Sequence, residues 1–340
     1  MTTTPAMPTQ AGQTGHAAYE PGRGTRLAQA FRWHVPLMTL AALMAVVGVV
    51  AIVGILVDDR VLTGLPIWAK PTKFALSILL YSVTWAWFIS QLTRLRRTAW
   101  WMGTVAAVLL GAEMVIVVGQ VIRGTTSHFN GTTPLNAALY QMMGMLIVVV
   151  WVATLVVALI MFRNPGPDRA RNLAVRAGSL VALVGMALGF LMTLPTKQQI
   201  AEDSPFTGAH TVGLADGGPG LPLLGWSTVA GDLRIPHFVG MHALQLIPLV
   251  LIGLELLARK VTLLRQEKVR ARLVAVAVVG YLAELALLTW QALRGQSIVR
   301  PDLLTGLTFT GIVVCVGAGV LAALRAGQSR SERSLSTRSS

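Results

Sequence analysis

Four of the chain's six histidines, His128, His210, His237 and His242, fall on one side of a series of long apolar runs, in the polar stretches that link them or near the run ends. Lys70, Lys73, Arg123, Asn130, Asp232 and Arg234 share those stretches, while Glu113, Gln141, Gln245 and Glu284 lie inside the runs themselves. Acids set within apolar helices can carry protons, because a charge at mid-bilayer costs roughly 2.5–3.5 kcal/mol and such groups usually face a cavity or a partner. Basic side chains at a cavity mouth attract anions. Histidines on separate elements can ligate haem iron. His128 and His242 lie on different elements at similar height and are such a pair. His237 and His242 are five residues apart, so on one helix their rings diverge by about 140° and do not grip a single ion. Ser127, Ser227, His128, His237 and Asp232 contain the residue types of a hydrolytic site. No G-x-S-x-G, H-E-x-x-H, cysteine pair or P-loop accompanies them.

The elements that position these residues are membrane spans. The chain is 54% hydrophobic and 12% charged, and an apolar run of about 20 residues crosses a hydrocarbon core. The pattern predicts an all-α bundle with eight spans, near 36–57, 74–93, 99–122, 135–162, 175–195, 236–258, 272–293 and 303–325. Lys and Arg sort onto every second link, placing 20 of the 28 on one side. By the positive-inside rule that side is the cytoplasm and holds both termini, so the chain reads as a multi-pass plasma-membrane protein. The net charge of +14 is mostly this bias, with membrane lipids as the expected partner. A folded basic domain for nucleic acid is missing from the pattern. Residues 1–34 and 326–340 read as disordered cytoplasmic ends flanking a membrane domain over 35–325. Cys315 stands alone, so it has no partner within the chain for a disulfide.

Depth along the spans gathers the polar residues. At 1.5 Å per residue, His242 and Gln141 lie about 9 Å below the outer ends of their spans, and Gln245, Glu113 and Glu284 about 13 Å. The expectation is an outward pocket walled by spans three, four, six and seven and rimmed by Lys70, Arg123 and Arg234. The 196–235 link, rich in Gly and Pro turn residues, is expected to form a lid over it. The similar starts of spans two, four and six hint at a two-helix repeat. Glu255, four residues before Arg259, is expected to pair with it along its helix.

The runs WAKPTKFALS, RGTTSHFN and GGPGLPLLGWSTVAGDLRIPHFVGMHALQ resemble signatures of a recurring family of uncharacterised bacterial, actinobacterial-type polytopic membrane proteins. The resemblance covers most of residues 35–325. It implies a membrane class and no reaction. Three readings follow from the residues. One is binding or proton-linked transport of a small anionic solute or ion, with Glu113 and Glu284 carrying protons and Lys70, Lys73, Arg123, His128, Asn130, Asp232, Arg234, His237, His242 and Gln245 holding the ligand. The second is a b-type haem protein on His128 and His242. The third is an enzyme that modifies outer-leaflet lipids.

Overall fold

The computed structural model describes residues 26–336 and is almost wholly helical. A short helix α1 (Arg26–Phe31) leads into α2 (Val35–Val57), α3 (Ala69–Ser90), α4 (Arg96–Ile122) and α5 (Pro134–Phe162). Then come α6 (Arg169–Leu188), a 3-10 turn (Gly189–Thr193), the short α7 (Lys197–Ala201), α8 (Arg234–Leu257), α9 (Glu267–Leu293) and α10 (Leu303–Ser336). Among the described residues, eight helices are long and apolar enough to cross a membrane: α2 to α6 and α8 to α10. Their interior backbone groups bond within the segment, as a lipid environment demands, apart from the break at Pro248 in α8. The fold is that of a multi-pass membrane protein.

Two ends differ from expectation. Residues 26–31 are helical and His34 is buried, although the composition there reads as disordered; residues 1–25 lie outside the described part. At the other end α10 continues through residues 326–336. Extending an existing helix costs only propagation, and no proline interrupts that stretch. Residues 337–340 lie outside the described part.

The eight spans fall into two halves, α2 to α5 and α6 with α8 to α10. In each half the first and second spans pack most closely, the third and fourth pair, and the third also touches the first and second. The main contacts between halves are α5 with α6 and α3 with α8. Side chains repeat the correspondence. The first span of each half is capped by a residue that also bonds the third: His34 accepts from Leu37 N through Nδ1 and donates Nε2–H to Trp100 O at 2.8 Å, whereas Asp168 accepts from Arg171 N and from Arg270 Nη2 at 2.7 Å. Before each second span an Asp-x-Arg turn folds on itself, Arg60 on Asp58 and Arg234 on Asp232. At the end of each third span a glutamine closes the turn: Gln120 Nε2 donates to Thr126 O and Gln291 Nε2 to Ser297 O, across glycines at φ +71° and +72°. The repeat is therefore a four-helix unit rather than the two-helix unit that the span starts imply.

Close approach decides the tightest pair. Gly185 of α6 and Gly240 of α8 meet so closely that a Cβ on either would overlap the other's backbone, the small-residue contact common between membrane helices. Glu255 pairs with Arg171 of α6 at 3.1 Å, not with Arg259, because α8 turns that face toward α6.

Candidate functional site

Between the halves lies a cavity of about 1600 Å³. Its walls come from α3 to α6 and α8. The fourth wall expected from span seven is missing, because α9 packs behind α8 and away from the seam. Ile78, Trp85, Leu110, Met143, Val150 and Leu244 line the deep part.

Of the residues singled out by sequence, Lys70, Lys73, Glu113, His128, Arg234, His237, His242, Gln245 and Gln141 stand on the cavity wall. Lys70 reaches it from the first turn of α3, with Nζ 5.7 Å from the Phe74 ring and no hydrogen-bond acceptor among the described residues. Lys73 Nζ donates to Leu224 O at 2.8 Å. His237 Nδ1 donates to Gly185 O at 2.8 Å, and His242 Nδ1 lies 3.4 Å from Gln245 Oε1. Glu113 is 1% exposed, and neither carboxyl oxygen has a hydrogen-bond partner. His128 Nε2 lies 4.0 Å from Glu113 Oε1.

Four expected site residues are elsewhere. Arg123 is exposed and spends its guanidinium on Gln120 Oε1 and Asn136 Oδ1. Asn130 is buried in its own loop, donating to Thr125 Oγ1 and Thr126 O and accepting from Thr132. Asp232 is buried behind Arg234, accepts from Ser227 N, and shapes the turn. Glu284 points outward from α9 and is exposed. Its depth matches that of Glu113; its side of the helix does not. Ser227 is likewise structural, its Oγ accepting from Ala230 N.

The α4–α5 loop aims His128. Phe129 sits in the left-handed region at φ +61°, unusual for a bulky residue. Asn130 holds the loop from below and Thr207 N donates to Phe129 O from the roof. His128 is thereby packed among Phe74, Phe129 and Tyr140, with Nδ1 3.1 Å from Ser127 Oγ. Burial holds its ring pKa well below the ordinary value, and the charge of Lys70 adds to this.

The 196–235 link is the roof, and it is built. Gln199 bonds Gly208 through both amide atoms, and an antiparallel ribbon pairs β1 (Thr211–Val212) with β2 (Gly231–Asp232). His210 and Asp216 also line the cavity and were not assigned a role from sequence. The Asp216 carboxylate accepts from His210 Nδ1 at 2.6 Å and from the backbone N–H groups of His210 and Thr211. Burial raises that carboxyl, but these bonds outweigh it and hold it well below the carboxylate range. His210 is kept low by burial, against the pull of Asp216. The signal in the sequence was a histidine six residues before an aspartate in a glycine-rich turn, which names no chemistry alone.

Among the described residues no three His, Cys, Asp or Glu side chains gather in a way that could hold a metal ion. His128 and His242 both line the cavity, but His128 has one nitrogen bonded to Ser127 and the other turned to Glu113.

Comparison with protein-family models, with curated proteins and with solved structures finds no match. The chemistry therefore rests on the cavity itself.

Proposed function

We propose that this membrane protein binds an anionic ligand in the roofed cavity and moves it with exchange of a proton at Glu113. The observation that carries the reading is an unpartnered carboxyl, Glu113, in a cavity that also holds the unpartnered Lys70 ammonium, at the seam of two matched halves. Transporters commonly place their sites where structural repeats meet, and the repeats then move against each other. Here α3 and α8 are corresponding helices that touch across the seam. The orientation belongs to the same reading: the basic links and both termini face the cytoplasm and the roof faces out.

The test uses vesicles containing the purified protein and a trapped pH-sensitive dye. Inorganic phosphate, succinate and dioctanoyl phosphatidate are added in turn across an imposed pH difference. Proton movement that needs one of these anions and disappears in Glu113→Gln supports the reading. Movement that is independent of all three, or unchanged in the variant, overturns it.

One observation favours a second reading, ester hydrolysis. Ser127 Oγ, His128 and Glu113 stand in series on the cavity wall, at 3.1 Å and 4.0 Å. His128 would take the Ser127 proton as Oγ attacks the ester carbonyl and return it to the alcohol that leaves; the freed ring would then take a proton from water, which releases the acyl group from Oγ as a carboxylic acid. Turnover of an added lipid ester that stops in Ser127→Ala would establish it.

A further inference from the structure

The cavity is covered above, with the exposed Lys197, Gln198 and Glu202 at one edge of the cover, and open at its side. Its roof is tied to both corresponding helix starts: Lys73 of α3 donates to Leu224 O and Arg234 of α8 to Gly225 O. It is also sewn to the α4–α5 loop, where Gly131 N donates to Pro205 O at 2.7 Å. The hairpin between α2 and α3 closes the third side, with Gly64 packed on Gly217. A ligand arriving from water meets these contacts first.

The flank is different. Helices α5 and α6 are joined by Trp151 Nε1 donating to Leu183 O at 3.1 Å. From that contact toward the roof, residues on both sides line the cavity and stay exposed. Gln141, Met145 and Val148 follow one face of α5 along this stretch, line the cavity, and stay exposed, Met145 to 72% and Val148 to 46%. Phe190 lines the opposite lip and is also exposed. Met145 and Val148 lie about 17 and 21 Å along α5 from Pro134, counting 1.5 Å per residue, which is hydrocarbon depth. The slit therefore opens where acyl chains lie.

The interior matches a molecule with two ends. Lys70 and Lys73 stand at the roofed end, and apolar side chains such as Trp85, Leu110 and Val150 line the deep end. The volume of about 1600 Å³ exceeds the roughly 300–1,000 Å³ of ordinary small-ligand pockets.

We infer that the ligand is an anionic amphiphile, a phosphate- or carboxylate-headed lipid, which enters from the bilayer through the slit between α5 and α6 and places its head beside Lys70. This rests on the ligand-binding reading above and names the substrate class of the same cavity.

The experiment measures binding to the full-length protein in detergent with three probes: dioctanoyl phosphatidate, dioctanoylglycerol and glycerol phosphate. The expected result is that phosphatidate binds at least tenfold more tightly than either fragment. Lys70→Gln weakens it at least tenfold, Lys70→Arg restores most of it, and Met145→Trp in the slit slows its entry. Thermal melts of each variant show that the fold is retained. Equal binding of glycerol phosphate, lost in Lys70→Gln, would identify a soluble anion; the cavity reading would stand and the amphiphile would fall. Equal binding of dioctanoylglycerol would remove the anionic head. Failure of all three to bind would overturn both.

Discussion

His128 turns Nε2 toward Glu113 Oε1 across 4.0 Å, while neither oxygen of Glu113 receives a hydrogen bond. A buried polar group without a partner costs about 1–3 kcal/mol. The fold retains this one on the wall of the cavity between its halves, and such local conflicts tend to mark functional sites.

Glu113→Leu should therefore stabilise the protein while removing its function. Melting in detergent is expected to rise by an amount equivalent to about 1–3 kcal/mol, and the anion-dependent proton signal should vanish. A lower melting temperature would show that the carboxyl has a structural partner in the folded protein.

The histidines of the two loops make stability depend on pH. Burial lowers the ring pKa of His128 and of His210 in the folded chain. In the unfolded chain both take up protons near pH 6.5. Their contribution is fully present above that value and is lost as pH falls below it, by up to about 1.4 kcal/mol per pH unit for each ring. Melting temperatures should drop between pH 7 and pH 5, and His128→Gln should shallow the slope. A flat profile would mean the rings protonate in place.

How far the sequence carries can be seen in Glu113 and Glu284. Both lie about 13 Å below the same membrane face by residue counting, and the spans themselves follow from length and hydropathy alone. Depth is a local property. The side of the helix is not: Glu113 faces the seam because α4 packs on α2, α3 and α5, and Glu284 faces outward because α9 has its neighbours on its other side. Arg123 was misplaced for a similar reason, since Gln120 and Asn136 capture it. The four-helix repeat was present as Gln-x-x-Arg-Gly at Gln120 and Gln291 and Asp-x-Arg at Asp58 and Asp232. Those matches are too short to stand out until geometry aligns them.

The two Asp-x-Arg turns should respond unequally to the same change. Asp232 is 1% exposed and its carboxylate also holds Ser227 N. Breaking a buried pair by removing one partner costs about 3–5 kcal/mol. Asp58 accepts from Trp68 Nε1 at 2.8 Å and pairs with an exposed Arg60; an asparagine keeps an acceptor for the indole, and an ion pair in water's reach contributes little. Asp232→Asn should lower the melting temperature sharply and loosen the roof to proteolysis, while Asp58→Asn should behave nearly as the parent. Equal effects would show that the halves' loops carry equal loads.

An absorption spectrum separates the redox reading from the ligand reading. His128 has Nδ1 bonded to Ser127 Oγ and its ring packed among Phe74, Phe129 and Tyr140, so protein purified from haem-replete cells should show no Soret band. A band that shifts on dithionite reduction and is lost in both His128→Ala and His242→Ala would replace the transport reading with a haem site.

The seam between Gly185 and Gly240 tests whether the second half must stay tightly closed. A methyl group at either position meets backbone, not a movable side-chain end. Overpacking of this kind typically costs about 1–3 kcal/mol, and here α6 can relieve it only by moving off α8. That movement would break the bond from His237 to Gly185 O and shift the cavity wall. Gly185→Ala and Gly240→Ala should therefore lower stability and ligand binding together, whereas Gly253→Ala on α8, which meets open space, should change neither. If Gly185→Ala left binding intact despite a lowered melting temperature, the wall near His237 would not touch the ligand, and the site would be confined to Lys70, Glu113 and His128.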